Sequence, residues 1–142
     1  MRTASASASL FSLSALVVVS IATASQACEP ALAGEAAGVL RSSARAVAYR
    51  IEPKDLTVGA HVVIELAVCA ADSATPVESL VVDADMPAHR HGMNYRPSVV
   101  ALGGGRYRAE GLLFHMPGRW RLIVELRAGD HVERLTDELV VE

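Results

Sequence analysis

The chain lacks most of the marks by which catalytic and nucleic-acid-binding proteins are recognised. There is no Cys-x-x-Cys pair, so a thioredoxin-like redox site has no support. No glycine-rich loop precedes a helical pattern, and Gly103-Gly104-Gly105 lies between two strand-like runs, where it reads as a hairpin turn rather than a phosphate cradle. Ser79 and Ser98 have no base in a nucleophile motif, and Asp83 and Asp85 share a face without a cleft to serve. No catalytic residue is assigned, and an enzyme is not expected. Positive charge is not in surplus either: 13 Lys+Arg stand against 16 Asp+Glu. Loss of Arg2 with a leader takes the formal charge to about −4, which does not recommend nucleic acid.

What is present begins with an export signal over residues 1–27. Arg2 supplies the positive start, Leu10 to Ala24 the apolar stretch, and Ser25-Gln26-Ala27 the small residues read at cleavage. That stretch is too short and too serine-rich for a membrane span. Cleavage after Ala27 leaves Cys28 first in a mature chain of about 115 residues, the size of one domain. Ser25 and Gln26 fit a lipobox poorly, so periplasmic or secreted soluble export is expected over a lipid anchor on Cys28. The two cysteines, Cys28 and Cys69, favour a disulfide in an exported protein. A lipidated Cys28 with Cys69 as a buried thiol, or Cys69 as a metal ligand, are the competing uses.

Residues 28–45 form a leader along the domain, with a short helix around Glu35 to Arg45 weakened by Gly34 and Gly38. From residue 46 to 142 the pattern is β. Alternating or apolar runs over 46–51, 61–69, 79–85, 96–102, 106–113, 119–127 and 132–141 are separated by Gly, Pro and Asp turns. Seven short strands at roughly ten-residue spacing predict an all-β antiparallel sandwich.

Soft metal ligands are concentrated in two segments. Met86-Pro87-Ala88-His89-Arg90-His91-Gly92-Met93 holds two histidines and two methionines, and His115-Met116 follows inside Phe114-His115-Met116-Pro117-Gly118-Arg119-Trp120. Apart from Met1, every methionine of the chain falls here. Imidazole and thioether suit copper, and thioether favours Cu(I). If 88–93 is extended, His89, His91 and Met93 project to one side, about 6.5–7 Å apart in succession. Met86 and one of His115 or Met116 would complete the set. The bland reading has the methionines filling core gaps and the histidines bracing a loop. Arg90 and Arg119 oppose a divalent ion and leave Cu(I) the better fit. Six arginines, Arg90, Arg96, Arg106, Arg108, Arg119 and Arg121, fall between Met86 and Arg121, opposed there only by Glu110. They form either a solvated face or, around Arg106, Arg108, Arg119 and Arg121, a patch for an anionic partner.

Asp85-Met86-Pro87-Ala88-His89-Arg90-His91-Gly92-Met93, Pro97, Gly105-Arg106-Tyr107 and Phe114-His115-Met116-Pro117-Gly118-Arg119-Trp120, in that order, resemble the YtkA-like domain, which is related to FixH-like periplasmic domains. The resemblance spans about residues 46 to 142. It implies an exported immunoglobulin-like β-sandwich, with links to copper handling or respiratory oxidase assembly. Met86, His89, His91 and Met116 match its motif positions, whereas Met93 and His115 fall where the family varies. Trp120 and Phe114 are expected to be core residues joining the two segments. The expected function is therefore a Cu(I)-binding module for storage, delivery or sensing, with a partner in the cell envelope. Its ligands would be His89, His91 and Met93 or Met86, with His115-Met116 nearby. The alternative is a non-metal interaction module that uses the arginine face.

Overall fold

Side-chain alternation places the strands, and the pairing between strands places everything else. The computed structural model describes residues 28–142 apart from Asp72, so the expected leader over 1–27 lies outside the described residues. Nine strands follow in order: β1 (Gly38–Arg41), β2 (Arg45–Glu52), β3 (His61–Ala70), β4 (Ser79–Met86), β5 (His91–Gly92), β6 (Ser98–Gly103), β7 (Arg106–Leu113), β8 (Gly118–Ala128) and β9 (His131–Val141). Their two antiparallel sheets are ordered β1-β2-β3-β7-β6 and β5-β4-β8-β9. With β1 and β5 set aside, the remaining strands are the seven expected, their ends shifted by a residue or two. They divide as an immunoglobulin constant-type sandwich does, with the first, second, fifth and fourth strands in one sheet and the third, sixth and seventh in the other.

β1 overturns the short helix expected around Glu35 to Arg45. It pairs with β2 from Gly38 opposite Tyr49 to Arg41 opposite Ala46. The Ser42 hydroxyl accepts the backbone N–H groups of Ala44 and Arg45 at 3.2 and 3.0 Å, closing the hairpin. Glycine and serine make a weak helix, whereas the open edge of β2 offers each backbone group a partner. Pairing wins over propensity.

The segment from Cys28 to β1 lies along the domain. Cys28 is bonded to Cys69, with Cα atoms 5.8 Å apart and a separation of 41 positions in sequence. Such a closure contributes about 3–4 kcal/mol by restricting the unfolded chain. Arg50 donates to the Ala33 carbonyl at 2.8 Å, and Arg41 pairs with Glu29 at 2.9 Å. Beneath the leader, Ala46, Ala48 and Ala67 are buried although they face away from the core.

The core lies between the sheets. β8 contributes Trp120, Leu122, Val124 and Leu126, each almost wholly buried, against Val47, Ile51, Val62, Ile64 and Leu66 of β2 and β3. Polar contacts also join the sheets at their margin, where Arg45 of β2 pairs with Glu133 of β9 at 2.9 Å. The buried Tyr49 hydroxyl donates to Asp137 Oδ2 of β9 at 2.6 Å. Burial, then the Asp137 hydrogen bond and charge, push this hydroxyl well above its ordinary value of 10.

Gly105 closes the β6–β7 hairpin at a φ of 74°, and its carbonyl accepts the Val68 N–H at 2.7 Å. A Cβ there would run into the Val68 carbonyl, whereas one at Gly104 meets nothing within 4 Å. Gly105→Ala is expected to lose about 2–4 kcal/mol in urea unfolding, and Gly104→Ala only about 1–2 kcal/mol. A second expectation concerns pH. Above pH 10 the unfolded chain releases the Tyr49 proton while the folded chain keeps it. The stability this group contributes is therefore complete below that pH and declines as pH rises beyond it. Tyr49→Phe is expected to remove that decline from the pH dependence of unfolding, at a cost of roughly 1 kcal/mol near neutrality.

Candidate functional site

Four chain segments meet at one pole of the sandwich: the end of β4, the end of β7, the start of β8, and the start of β3, where His61 pairs with Leu113. At this pole Met86 ends β4 and turns inward, 2% exposed. The chain then reverses over Pro87–Arg90. His89 N–H donates to the Met86 carbonyl at 3.0 Å, and Arg90 adopts a left-handed φ of 56°. It returns as β5, which sets His91 directly opposite Met86. Directly opposed residues put their side chains on the same face, with Cβ atoms about 4.5–5.5 Å apart. His91 therefore points toward the inner side beside Met86.

The turn corrects the extended reading of 88–93. His89, His91 and Met93 do not form one row, because the reversal carries His89 out to solvent. Met93 remains on the inner side, its N–H donating to the Ala84 carbonyl at 3.1 Å, and packs against the core.

The second segment approaches from the β7–β8 connection. Phe114 is fully buried and meets Trp120 edge-on, with ring centroids 5.1 Å apart. Trp120 Nε1 donates to the Met116 carbonyl at 3.0 Å, which fixes the turn. These two residues join the motif segments as expected. His115 then lies with its ring 5.0 Å from that of His91 and 5.4 Å from Trp120. The His89 ring is 5.9 Å from His91. Met116 is half-buried against the core. Gly118 leaves room for Met86, whose methyl group would be 3.1 Å from a Cβ at that position.

Two imidazole nitrogens here are buried without a partner: His91 Nε2 and His115 Nδ1. His91 Nδ1 lies 3.2 Å from the Gly92 carbonyl, which can only accept. In the neutral ring the proton therefore resides on Nδ1, and Nε2 presents a bare lone pair to the interior. A metal-binding histidine is oriented by this same arrangement. Among the described residues, no three His, Cys, Asp or Glu side chains are grouped to hold a metal ion. Any centre here must take methionine sulfur, and the donor set of two imidazoles and a thioether fits a soft monovalent ion. Cys69, bonded to Cys28, is not available as a ligand.

The arginines do not form one face. Arg106 and Arg108 project from the outer side of β7, and Arg119 and Arg121 from the outer side of β8 in the opposite sheet. Three of the four are paired. Arg108 bridges Glu65 at 3.0 Å and Glu110 at 2.6 Å, Arg119 pairs with Glu138, and Arg121 grips Asp85 through two bonds of 2.9 and 2.5 Å. The Asp85 hydrogen bond and charge raise the Arg121 pKa further. Strand alternation brought these arginines close in sequence, and the assignment of β7 and β8 to different sheets separates them. Arg90 is exposed, with no ion pair among the described residues.

The fold and pole define a small immunoglobulin-like β-sandwich with a histidine–methionine cluster in one set of end loops. The chain belongs to the YtkA-like family, whose model matches residues 42–125 and so covers both motif segments. No curated protein and no solved structure gives a significant match. No helix among the described residues is long and apolar enough to cross a membrane.

Met86 serves the core as well as the pole. Met86→Ala is expected to lower unfolding free energy by about 2–5 kcal/mol. Met86→Leu, which keeps the volume and removes the sulfur, should cost less than about 1.5 kcal/mol. Chemical denaturation of both variants checks this.

Proposed function

We propose that this protein is an exported Cu(I)-binding module that holds and passes on the ion rather than turning over a substrate. His91 and His115 are the nitrogen ligands and Met86 the thioether, with Met116 and Met93 as further sulfur donors at the same pole. One observation carries the reading: two neighbouring imidazoles each bury an unpartnered nitrogen, and on His91 that nitrogen is free for a metal when Nδ1 donates to the Gly92 carbonyl. An unpaired buried polar atom costs about 1–3 kcal/mol, which a bound metal ion offsets. Charge supports the choice of ion: Arg119 and Arg121 are neutralised, and among the described residues Arg90 and Arg96 stay without an ion pair, which disfavours a second positive charge on the ion. The disulfide supports export, because such bonds persist in oxidising compartments. A copper donor or acceptor in the cell envelope is the partner this chemistry calls for.

The test is competition for Cu(I) between purified protein and a chromogenic chelator, with ascorbate as reductant. Wild type is expected to compete at micromolar metal, and His91→Ala or His115→Ala to weaken affinity at least about 100-fold. If wild type withholds no copper from the chelator, the reading fails, and the rings packed edge-on to Trp120 are a structural cluster.

A further inference from the structure

Three imidazoles line up from solvent to interior at this pole. His89 is exposed on the Pro87–Arg90 turn, and His91 and His115 are half-buried. Successive ring centroids are 5.9 and 5.0 Å apart. A metal–nitrogen bond of about 2.0 Å and the radius of the ring put two imidazoles sharing one ion at most roughly 6 Å apart, centroid to centroid. Both steps fall within that limit. The ion can thus be shared first by His89 and His91, then by His91 and His115, without passing free through water.

We propose that His89 is the exchange ligand of this centre, taking Cu(I) from an outside donor and returning it to an acceptor, while His91 and His115 hold it. The inference rests on the copper reading above. Loading is a ligand substitution. The donor's ligand leaves as His89 and His91 bind, and His89 leaves in turn as His115 and the Met86 sulfur bind. The ion keeps its charge, no electron moves, and His91 has its Nε2 unpartnered while Nδ1 lies against the Gly92 carbonyl. His89 suits the outer role because only its backbone is tethered, by the 3.0 Å bond to the Met86 carbonyl. His91 is held between its Gly92 bond and Trp120, so it stays in place as the ligand common to both steps.

Equilibrium affinity and transfer rate separate the roles. Cu(I)-loaded protein is mixed with excess bicinchoninate in a stopped-flow instrument, and the reverse transfer is followed from the copper–chelator complex to apoprotein. His89→Ala is expected to change affinity by less than about threefold and to slow transfer about tenfold or more in both directions. His91→Ala should instead lose affinity. Transfer by His89→Ala at the wild-type rate would overturn the exchange role and leave the centre standing. A large loss of affinity with faster release would make His89 a holding ligand, which also overturns it. Wild type that binds no Cu(I) removes the centre itself, and the exchange role with it.

Discussion

Trp120 is aimed between the sheets by the alternation of β8, and its indole N–H must find an acceptor in a space that excludes water. Leaving it bare would cost about 1–3 kcal/mol. The Met116 carbonyl, four residues back along the chain, answers that need and thereby shapes the β7–β8 turn. Once that turn is set, His115 has to lie against the indole and within reach of His91. Phe114 meets the same ring edge-on. The geometry of the histidine cluster is thus inherited from the burial of one aromatic residue, and disturbing Trp120 would disturb core and cluster together.

Much of this was legible in the sequence where the pattern was long and local. β8 announces itself through four alternating apolar residues, and Gly103-Gly104-Gly105 through its lack of any side chain to pack. β1 was not legible, because Gly-Val-Leu-Arg is too short to declare a strand and becomes one only by pairing with β2. The turn at Pro87–Arg90 was hidden for a related reason. Arginine rarely adopts a positive φ, whereas Gly92, two residues on, is the position in that segment where a bend costs least. That single reversal exchanged the roles of two histidines, sending His89 outward and leaving His115, from a distant segment, as the neighbour of His91. The arginines show the same limit. Six of them crowd one stretch of sequence, but which sheet a strand joins is decided by residues elsewhere in the chain.

The cluster also shows how a sandwich with few polar residues inside gathers soft donors at one pole without carboxylates. Asp83 and Asp85 sit near the pole, yet Asp85 is committed to Arg121, and Asp83 Oδ1 accepts from the Ala84 N–H. The acids of this region are spent on the outer surface, where ion pairs run across β4, β8 and β9. Only sulfur and imidazole remain on the inner side. Hard divalent ions prefer oxygen, and the partition of side chains between the two faces of one sheet leaves the inner side without the carboxylates such ions favour.

The disulfide and the histidines occupy opposite poles. Cys69 lies near the end of β3, while the histidine cluster gathers where β3 begins. Because Cys28 is fastened beside Cys69, the described chain begins at that far pole. The molecule therefore has a root and a tip. Cys28 stands at the root and His89 at the tip, so a force applied at Cys28 is borne by the disulfide and β3 before it reaches the histidine loops.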